Sequence, residues 1–172
     1  MTERNSPIFR EVQKFSSWIL WFFVVLFFVL VYTVVKVAVA VGSTGMQSSS
    51  IFVQLIVMVA IFLAVSLFFL LARLETEVRA DGLYVRFFPF HIRFKKFTVD
   101  DLKEYYARQY SPLAEYGGWG IRCGLFGAGR AYNAKGSQGV QLVFKNGKRL
   151  LIGSQKPDEL VTALNSVLRK TD

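Results

Sequence analysis

Two apolar runs decide the fold of this chain: SSWILWFFVVLFFVLVYTVV at residues 16–35 and IFVQLIVMVAIFLAVSLFFLLA at residues 51–72. Neither run contains a charged residue. A helix rises about 1.5 Å per residue, so about 20 residues cross a hydrocarbon core of about 30 Å. Backbone groups in lipid must bond within their own segment, which favours helices. The sequence therefore predicts two transmembrane helices, at about 16–41 and 51–72, followed by a domain over residues 73–172.

Residues 1–15 form a short amino-terminal arm. Ser6 followed by Pro7 is typical of a helix start, and apolar residues then recur near helical spacing at Ile8, Phe9, Val12 and Phe15. Two interpretations stay open. The arm is either an interfacial helix lying in the headgroup region or a plain lead-in to the first span.

Basic residues flank the outer ends of the two runs, at Arg4, Arg10 and Lys14 before them and at Arg73 and Arg79 after them. The connection at residues 42–50 carries no charge, and Lys36 lies near the far end of the first run. We interpret Lys36 either as a snorkelling side chain or as a charge that faces a pore or partner. The positive-inside rule predicts a two-pass protein of the inner (cytoplasmic) membrane with both termini in the cytoplasm.

Charge is concentrated in the carboxy-terminal part. Of the net charge of +9, residues 73–172 contribute 17 Lys and Arg against 10 Asp and Glu. A basic domain tethered to a bilayer points to anionic headgroups rather than to nucleic acid. Cys123 is the only cysteine, so the chain forms no intramolecular disulfide. We expect this thiol to be buried and inert.

Beyond Leu74 the apolar period changes from helical to alternating, which predicts strands. Asp81-Gly82 and Asn146-Gly147 are hairpin signals. Thr98–Leu102 is expected to form a turn or short helix, and residues 111–118 a loop. Further strands are expected at residues 74–80, 83–87, 92–95, 104–110, 131–133, 140–144 and 149–152. The last helix begins at Pro157 and carries an apolar stripe of Leu160, Leu164, Val167 and Leu168.

Four stretches carry a resemblance: EYGGWGIR at 115–122, AYNAKG at 131–136, GVQLVF at 139–144 and LIGSQKPDEL at 151–160. In this order they resemble the bacterial membrane proteins with a pleckstrin-homology-like (PH-like) domain and no assigned function. The resemblance covers about residues 74–169. It implies a membrane helical hairpin joined to an α+β, mainly β domain, with an antiparallel seven- or eight-stranded sheet or barrel capped by a carboxy-terminal helix.

Chemistry that would mark an enzyme is not evident in the sequence. The glycines of residues 119–130 fit neither dinucleotide nor P-loop spacing and predict turns. His91 is the only histidine, and Asp100-Asp101 is interpreted as a turn or helix cap. We therefore predict a non-enzymatic protein with no catalytic residue, metal site or cofactor.

The candidate lipid-binding residues are Arg86, Arg93, Lys95 and Lys96. Arg86, Arg93 and Lys95 alternate with apolar neighbours, so we expect them to share one outer face of a hairpin. That face is either ordinary solvated surface or a contact with the anionic inner leaflet.

The predicted function is a membrane-anchored interaction or scaffolding module that binds anionic lipid headgroups, a protein partner or further copies of itself, and no nucleic acid. Two alternatives stay open: a small structural or self-assembling subunit of a membrane complex, and an accessory subunit of a membrane enzyme.

Overall fold

The computed structural model describes residues 6–42, 49–124 and 127–168. It divides into two compact units. Residues 15–71 form one unit, and the described residues on both sides of that stretch form the other. The second unit is therefore assembled from two parts of the chain that the first unit separates.

The first unit is a pair of helices, α1 at Ser17–Gly42 and α2 at Ser49–Leu71, which confirms the two predicted helices. Phenylalanine rings join them: the centroids of Phe23 and Phe69 lie 5.1 Å apart, and those of Phe27 and Phe62 lie 5.3 Å apart. Within α1, the Lys36 ammonium lies 5.7 Å from the centre of the Tyr32 ring. Both helices are long and apolar enough to cross a membrane.

The second unit contains nine described strands and two α-helices, in the following order along the chain. The strands are β1 (Phe9–Lys14), β2 (Arg73–Arg79), β3 (Gly82–Phe88), β4 (Lys95–Phe97), β5 (Leu102–Gln109), β6 (Gly120–Cys123), β7 (Arg130–Asn133), β8 (Gln138–Phe144) and β9 (Arg149–Gly153). The helices are α3 (Pro112–Tyr116), between β5 and β6, and α4 (Pro157–Leu168), after β9. A 3-10 turn at Val99–Asp101 confirms the predicted turn before β5.

The strands form two sheets, ordered β1-β2-β3-β4 and β5-β8-β9-β7-β6. No closed barrel is formed by the described strands, so the barrel alternative is wrong. The purely antiparallel arrangement is also wrong, because β7 pairs with β9 in parallel. The parallel pair arises because the hairpin of β6 and β7 is inserted between β5 and β8 and adds to the free edge of β9.

Of the two interpretations of the amino-terminal arm, the interfacial helix is wrong, because residues 9–14 form strand β1. This strand pairs with β2 from Phe9 opposite Val78 to Lys14 opposite Arg73. Glu11 accepts hydrogen bonds from Ser154 Oγ at 2.6 Å and from the Gln155 backbone N–H at 2.7 Å. Pairing across the sheet has overridden the weak helical spacing of the arm.

Two loops of the second unit differ from the sequence prediction. Strand β3 ends at Phe88, and Pro89 after it has no backbone N–H to donate to a neighbouring strand. Residues 92–94 are not strand, and β4 begins only at Lys95. The 111–118 stretch contains α3, whose first turn is capped by Ser111 Oγ accepting from the Ala114 N–H.

The apolar core lies beneath α4 and between the sheets. Leu160, Leu164 and Val167 are buried, which confirms the apolar stripe for these positions, while the Leu168 side chain lies outside the described ones. Leu83, Val85 and Phe87 of β3 are fully buried, as are Val140 and Leu142 of β8. The core thus fixes which face of β3 points outwards.

Candidate interaction surface

The predicted basic residues lie on two different faces of the first sheet. Tyr84 pairs with Lys96 and Val85 pairs with Lys95, so Lys96 shares the outer face with Arg86, and Lys95 shares the inner side with Val85. Lys95 Nζ lies 3.2 Å from the Tyr132 hydroxyl oxygen on β7, which belongs to the second sheet. The prediction of one common outer face is therefore wrong for Lys95.

Arg86 is held by neighbours rather than free for a ligand. Its Nη2 donates to Glu75 Oε2 at 2.7 Å, and its Nη1 donates to the Ile92 carbonyl at 3.3 Å. Its guanidinium also lies 4.6 Å from the centre of the Phe94 ring. These contacts tie β2, β3 and the loop after β3 together, which gives Arg86 a structural role.

Glu75 is the buried partner of two arginines. Its side chain is only 3% exposed, and Arg73 Nε contacts the second carboxylate oxygen at 2.5 Å. Burial raises the pKa of Glu75, but hydrogen bonds from Arg86 and Arg73 outweigh it and hold the pKa below its ordinary value. The carboxylate therefore stays ionised beneath its two cations.

The same pattern repeats along the outer face. The buried Glu77 carboxylate accepts from Arg79 Nη2 at 2.7 Å and pairs with Arg10 of β1 at 3.3 Å. Lys96 Nζ donates to Asp81 at 2.7 Å, and this hydrogen bond is the main reason that the pKa of Asp81 is lowered. The outer face is thus largely a set of ion pairs, in which each of these five cations has a carboxylate partner.

The loop between β3 and β4, residues 89–94, has a different character, and we call it the β3–β4 loop. Phe90 is 62% exposed and Ile92 is 77% exposed. The exposed fraction of Ile92 is larger than that of any large apolar side chain described in α1 and α2. Arg93 between them and β4 is also exposed, and it has no hydrogen-bonding or ion-pair partner among the described residues. Sequence reasoning missed the apolar part of this surface because it placed Ile92 on a strand facing the core.

His91 and Cys123 are the other residues singled out in the sequence, and the structure places each of them. The His91 ring lies 5.4 Å from the Tyr132 ring, and burial, helped by the charge on Lys95, lowers its pKa. Cys123 is exposed, so the prediction of a buried thiol is wrong. Within residues 6–42, 49–124 and 127–168, no group of three or more His, Cys, Asp or Glu side chains is placed to hold a metal ion.

Comparison with known proteins identifies a family. A family model described as "Family of unknown function (DUF6141)" matches residues 2–170, so the chain belongs to that family. The match spans the arm, both helices and the domain. No curated protein and no solved structure matches the chain.

Proposed function

We propose that this member of the DUF6141 family is a non-enzymatic module, anchored in the cytoplasmic membrane with both termini in the cytoplasm. Its PH-like domain contacts anionic lipid headgroups through the β3–β4 loop. The observation that carries the proposal is the exposure of Phe90 and Ile92 beside the unpaired Arg93. Arg93 supplies the positive charge of the loop, since Lys95 contacts Tyr132 and Lys96 is paired with Asp81.

The arrangement of the strands supports the PH-like part of the proposal. The hairpin of β6 and β7, with α3 before it, is an insertion between β5 and β8. Without that insertion the domain has a four-stranded sheet, a three-stranded antiparallel sheet of β5, β8 and β9, and the closing helix α4. Seven strands closed by one amphipathic helix make up the pleckstrin-homology layout.

The chemistry of the loop suits the boundary of an anionic bilayer. Apolar side chains that insert among acyl chains and basic side chains at headgroup level are the two contributions that bind proteins to such surfaces. Each basic residue near an anionic surface contributes about 1 kcal/mol, and the attraction decays over about 8 Å at physiological salt. A module already anchored by two helices needs only weak contact, because anchoring raises the effective concentration of lipid.

The proposal is tested on the full chain in lipid nanodiscs. An environment-sensitive dye is attached to Ile92→Cys in a Cys123→Ser background, and quenching by spin-labelled lipid is measured. We expect strong quenching in discs that contain phosphatidylglycerol, and less in zwitterionic discs or at high salt. Changing Arg93 to Gln should reduce the quenching in anionic discs.

The matched control is the same dye at Leu113→Cys, since Leu113 is 65% exposed on α3 and lies outside the loop. Quenching at position 113 should stay low in both kinds of disc. If the dye at position 92 is not quenched more than the dye at position 113 in anionic discs, the proposed lipid contact through this loop is wrong. The exposed loop would then serve a protein partner or a second copy of the chain.

A further inference from the structure

An open cleft of about 1090 Å³ lies in the second unit, and its described lining includes no residue of the β3–β4 loop. Its walls come from the end of β4, the start of β7 and the connection between β8 and β9. Four cationic side chains line it, Arg130, Lys145, Lys148 and Arg149, and among its described lining residues Asp101 is the only acid.

The four cations are not committed to other contacts. None of their side chains has an ion-pair or hydrogen-bonding partner in the described part of the chain, and all four residues are exposed. This differs from the outer face of the first sheet, where Arg73, Arg79 and Arg86 are each paired with a buried glutamate. Like charges that converge without counter-charges repel one another, so the cleft favours an anionic ligand.

Backbone contacts hold the cationic residues at the cleft. The Lys145 N–H donates to the Asp101 carbonyl at 2.9 Å, which fixes the start of the β8–β9 connection. Arg130 is aligned with Leu150, the residue after Arg149, in the parallel pair of β7 and β9, and both arginines line the cleft at this end of the pair. Gly129 permits this approach, because it has a φ of +83° and any Cβ there would overlap the Arg149 carbonyl.

Aromatic side chains complete the lining. The rings of Phe97 and Phe144 lie 5.7 Å apart, and Tyr132 also faces the cleft. Guanidinium groups bind phosphate oxygens through paired N–H donors, and lysines add point charges. The lining therefore offers both phosphate-binding groups and an apolar surface next to them.

We infer that this cleft binds a ligand that carries two or more phosphate groups. Four cations and one carboxylate leave three positive charges unbalanced. A phosphate monoester carries about −1.5 to −2 charges at neutral pH, so balancing three positive charges requires about two such groups. The ligand is either a soluble diphosphate-type anion or a lipid headgroup with two phosphates, and the two share this chemistry.

The test measures binding of inorganic pyrophosphate to the full chain in detergent micelles by titration calorimetry. We expect saturable binding about tenfold tighter than that of inorganic phosphate, and weaker binding at high salt. Arg130→Gln, and separately Lys148→Gln with Arg149→Gln, should weaken binding about tenfold or more. Arg122→Gln is the matched control, because Arg122 lies on the opposite face of the β6–β7 hairpin from Arg130 and bonds to the Trp119 carbonyl.

A second arm distinguishes the source of the phosphates. Nanodiscs with phosphatidylinositol 4-phosphate should reduce the apparent affinity for pyrophosphate if the natural ligand is lipid-borne, and leave it unchanged if the ligand is soluble. Absence of saturable pyrophosphate binding to the parent chain, or equal weakening by Arg122→Gln, would overturn the inference. Arg93→Gln should leave pyrophosphate binding unaffected, so this site and the membrane contact of the loop fail independently.

Discussion

Arg86 and Glu75 face each other across β2 and β3, and their pairing determines what the charge on this sheet can do. A buried carboxylate is stable only if its lone pairs accept hydrogen bonds, and Arg86 supplies one of them. Lys96 on the same face also has an acidic partner, but the Asp81 side chain is 56% exposed. Two basic residues that look alike in the sequence therefore differ in their importance for stability.

Arg86→Met removes every donor of Arg86 and keeps its apolar stem. At pH 7 we expect the free energy of unfolding of the full chain in detergent to fall by about 1–3 kcal/mol, since the buried Glu75 loses a charged partner. The pKa of Glu75 is lowered in the folded protein, so its contribution to stability is present above the unfolded pKa of about 4.3. That contribution is lost as the pH falls through the folded pKa, so the cost of Arg86→Met should shrink below about pH 4.

The measurement is chemical denaturation at several pH values, followed by near-ultraviolet circular dichroism. Lys96→Met is the control and should change the free energy of unfolding much less than Arg86→Met does, since exposed ion pairs contribute little. If Arg86→Met and Lys96→Met have equal effects, or the cost of Arg86→Met grows as the pH falls, the structural role of Arg86 is wrong.

At the scale of elements, β1 completes the first sheet although the whole helical unit separates it from β2. Without β1, the backbone N–H and C=O groups of β2 would form an unpaired edge, which promotes aggregation. The Glu11 carboxylate would no longer hold the Ser154–Gln155 backbone before α4, and Gln13 would no longer donate to the Gly153 carbonyl. The domain therefore needs both parts of the chain.

This requirement predicts the behaviour of two shortened chains. A chain of residues 73–172 alone should aggregate or remain unfolded. A chain in which Asn-Gly replaces residues 15–71 should fold, because Lys14 and Arg73 are already paired and a short hairpin loop joins such residues. Dispersion of amide signals in nuclear magnetic resonance spectra tests both. As a control, Glu11→Ala and Gln13→Ala in the linked chain should lower its stability. If the spectra of the 73–172 chain are as well dispersed as those of the linked chain, the domain does not require β1.

Elements with a local pattern were predictable, and those that depend on distant pairing were not. The helices α1, α2 and α4 follow from uninterrupted apolar runs or an amphipathic stripe within the segment itself. Strand β1 was missed because its partner lies beyond residues 15–71, and because Phe9 faces inwards while Val12 is exposed. Its spacing alone resembled a helix.

The candidate sites show the same limit. Charge alternation predicted one outer face for Arg86, Arg93 and Lys95. The turn after Pro89 changes the phase, so Lys95 points towards the second sheet and Lys96 shares the outer face with Arg86. The cationic cleft joins Arg130 to Arg149 through a parallel strand pair between segments that are not adjacent in sequence. Glycines near 129 drew attention in the sequence, but their spacing gave no indication that they allow this approach.

At the scale of the whole molecule, the pairing of β1 with β2 restricts how the chain crosses a membrane. Strands paired in one sheet lie on the same side of a bilayer, so the chain between Lys14 and Arg73 crosses an even number of times. Two apolar helices satisfy this requirement. The restriction is independent of the positive-inside rule, which adds only the choice of side.

We therefore predict that fusions at both ends of the chain report the same, cytoplasmic side, because basic residues flank the outer ends of the helical pair. A phosphatase that is active only outside the cytoplasm should be inactive before Met1 or after Asp172, and active when inserted between residues 45 and 46, which lie between the two helices. Activity at both ends would mean that the orientation is the reverse of the predicted one, and it would still agree with the pairing of β1 and β2. Activity at only one end would mean that β1 and β2 lie on opposite sides, and it would refute both the two-pass topology and the pairing on which the domain depends.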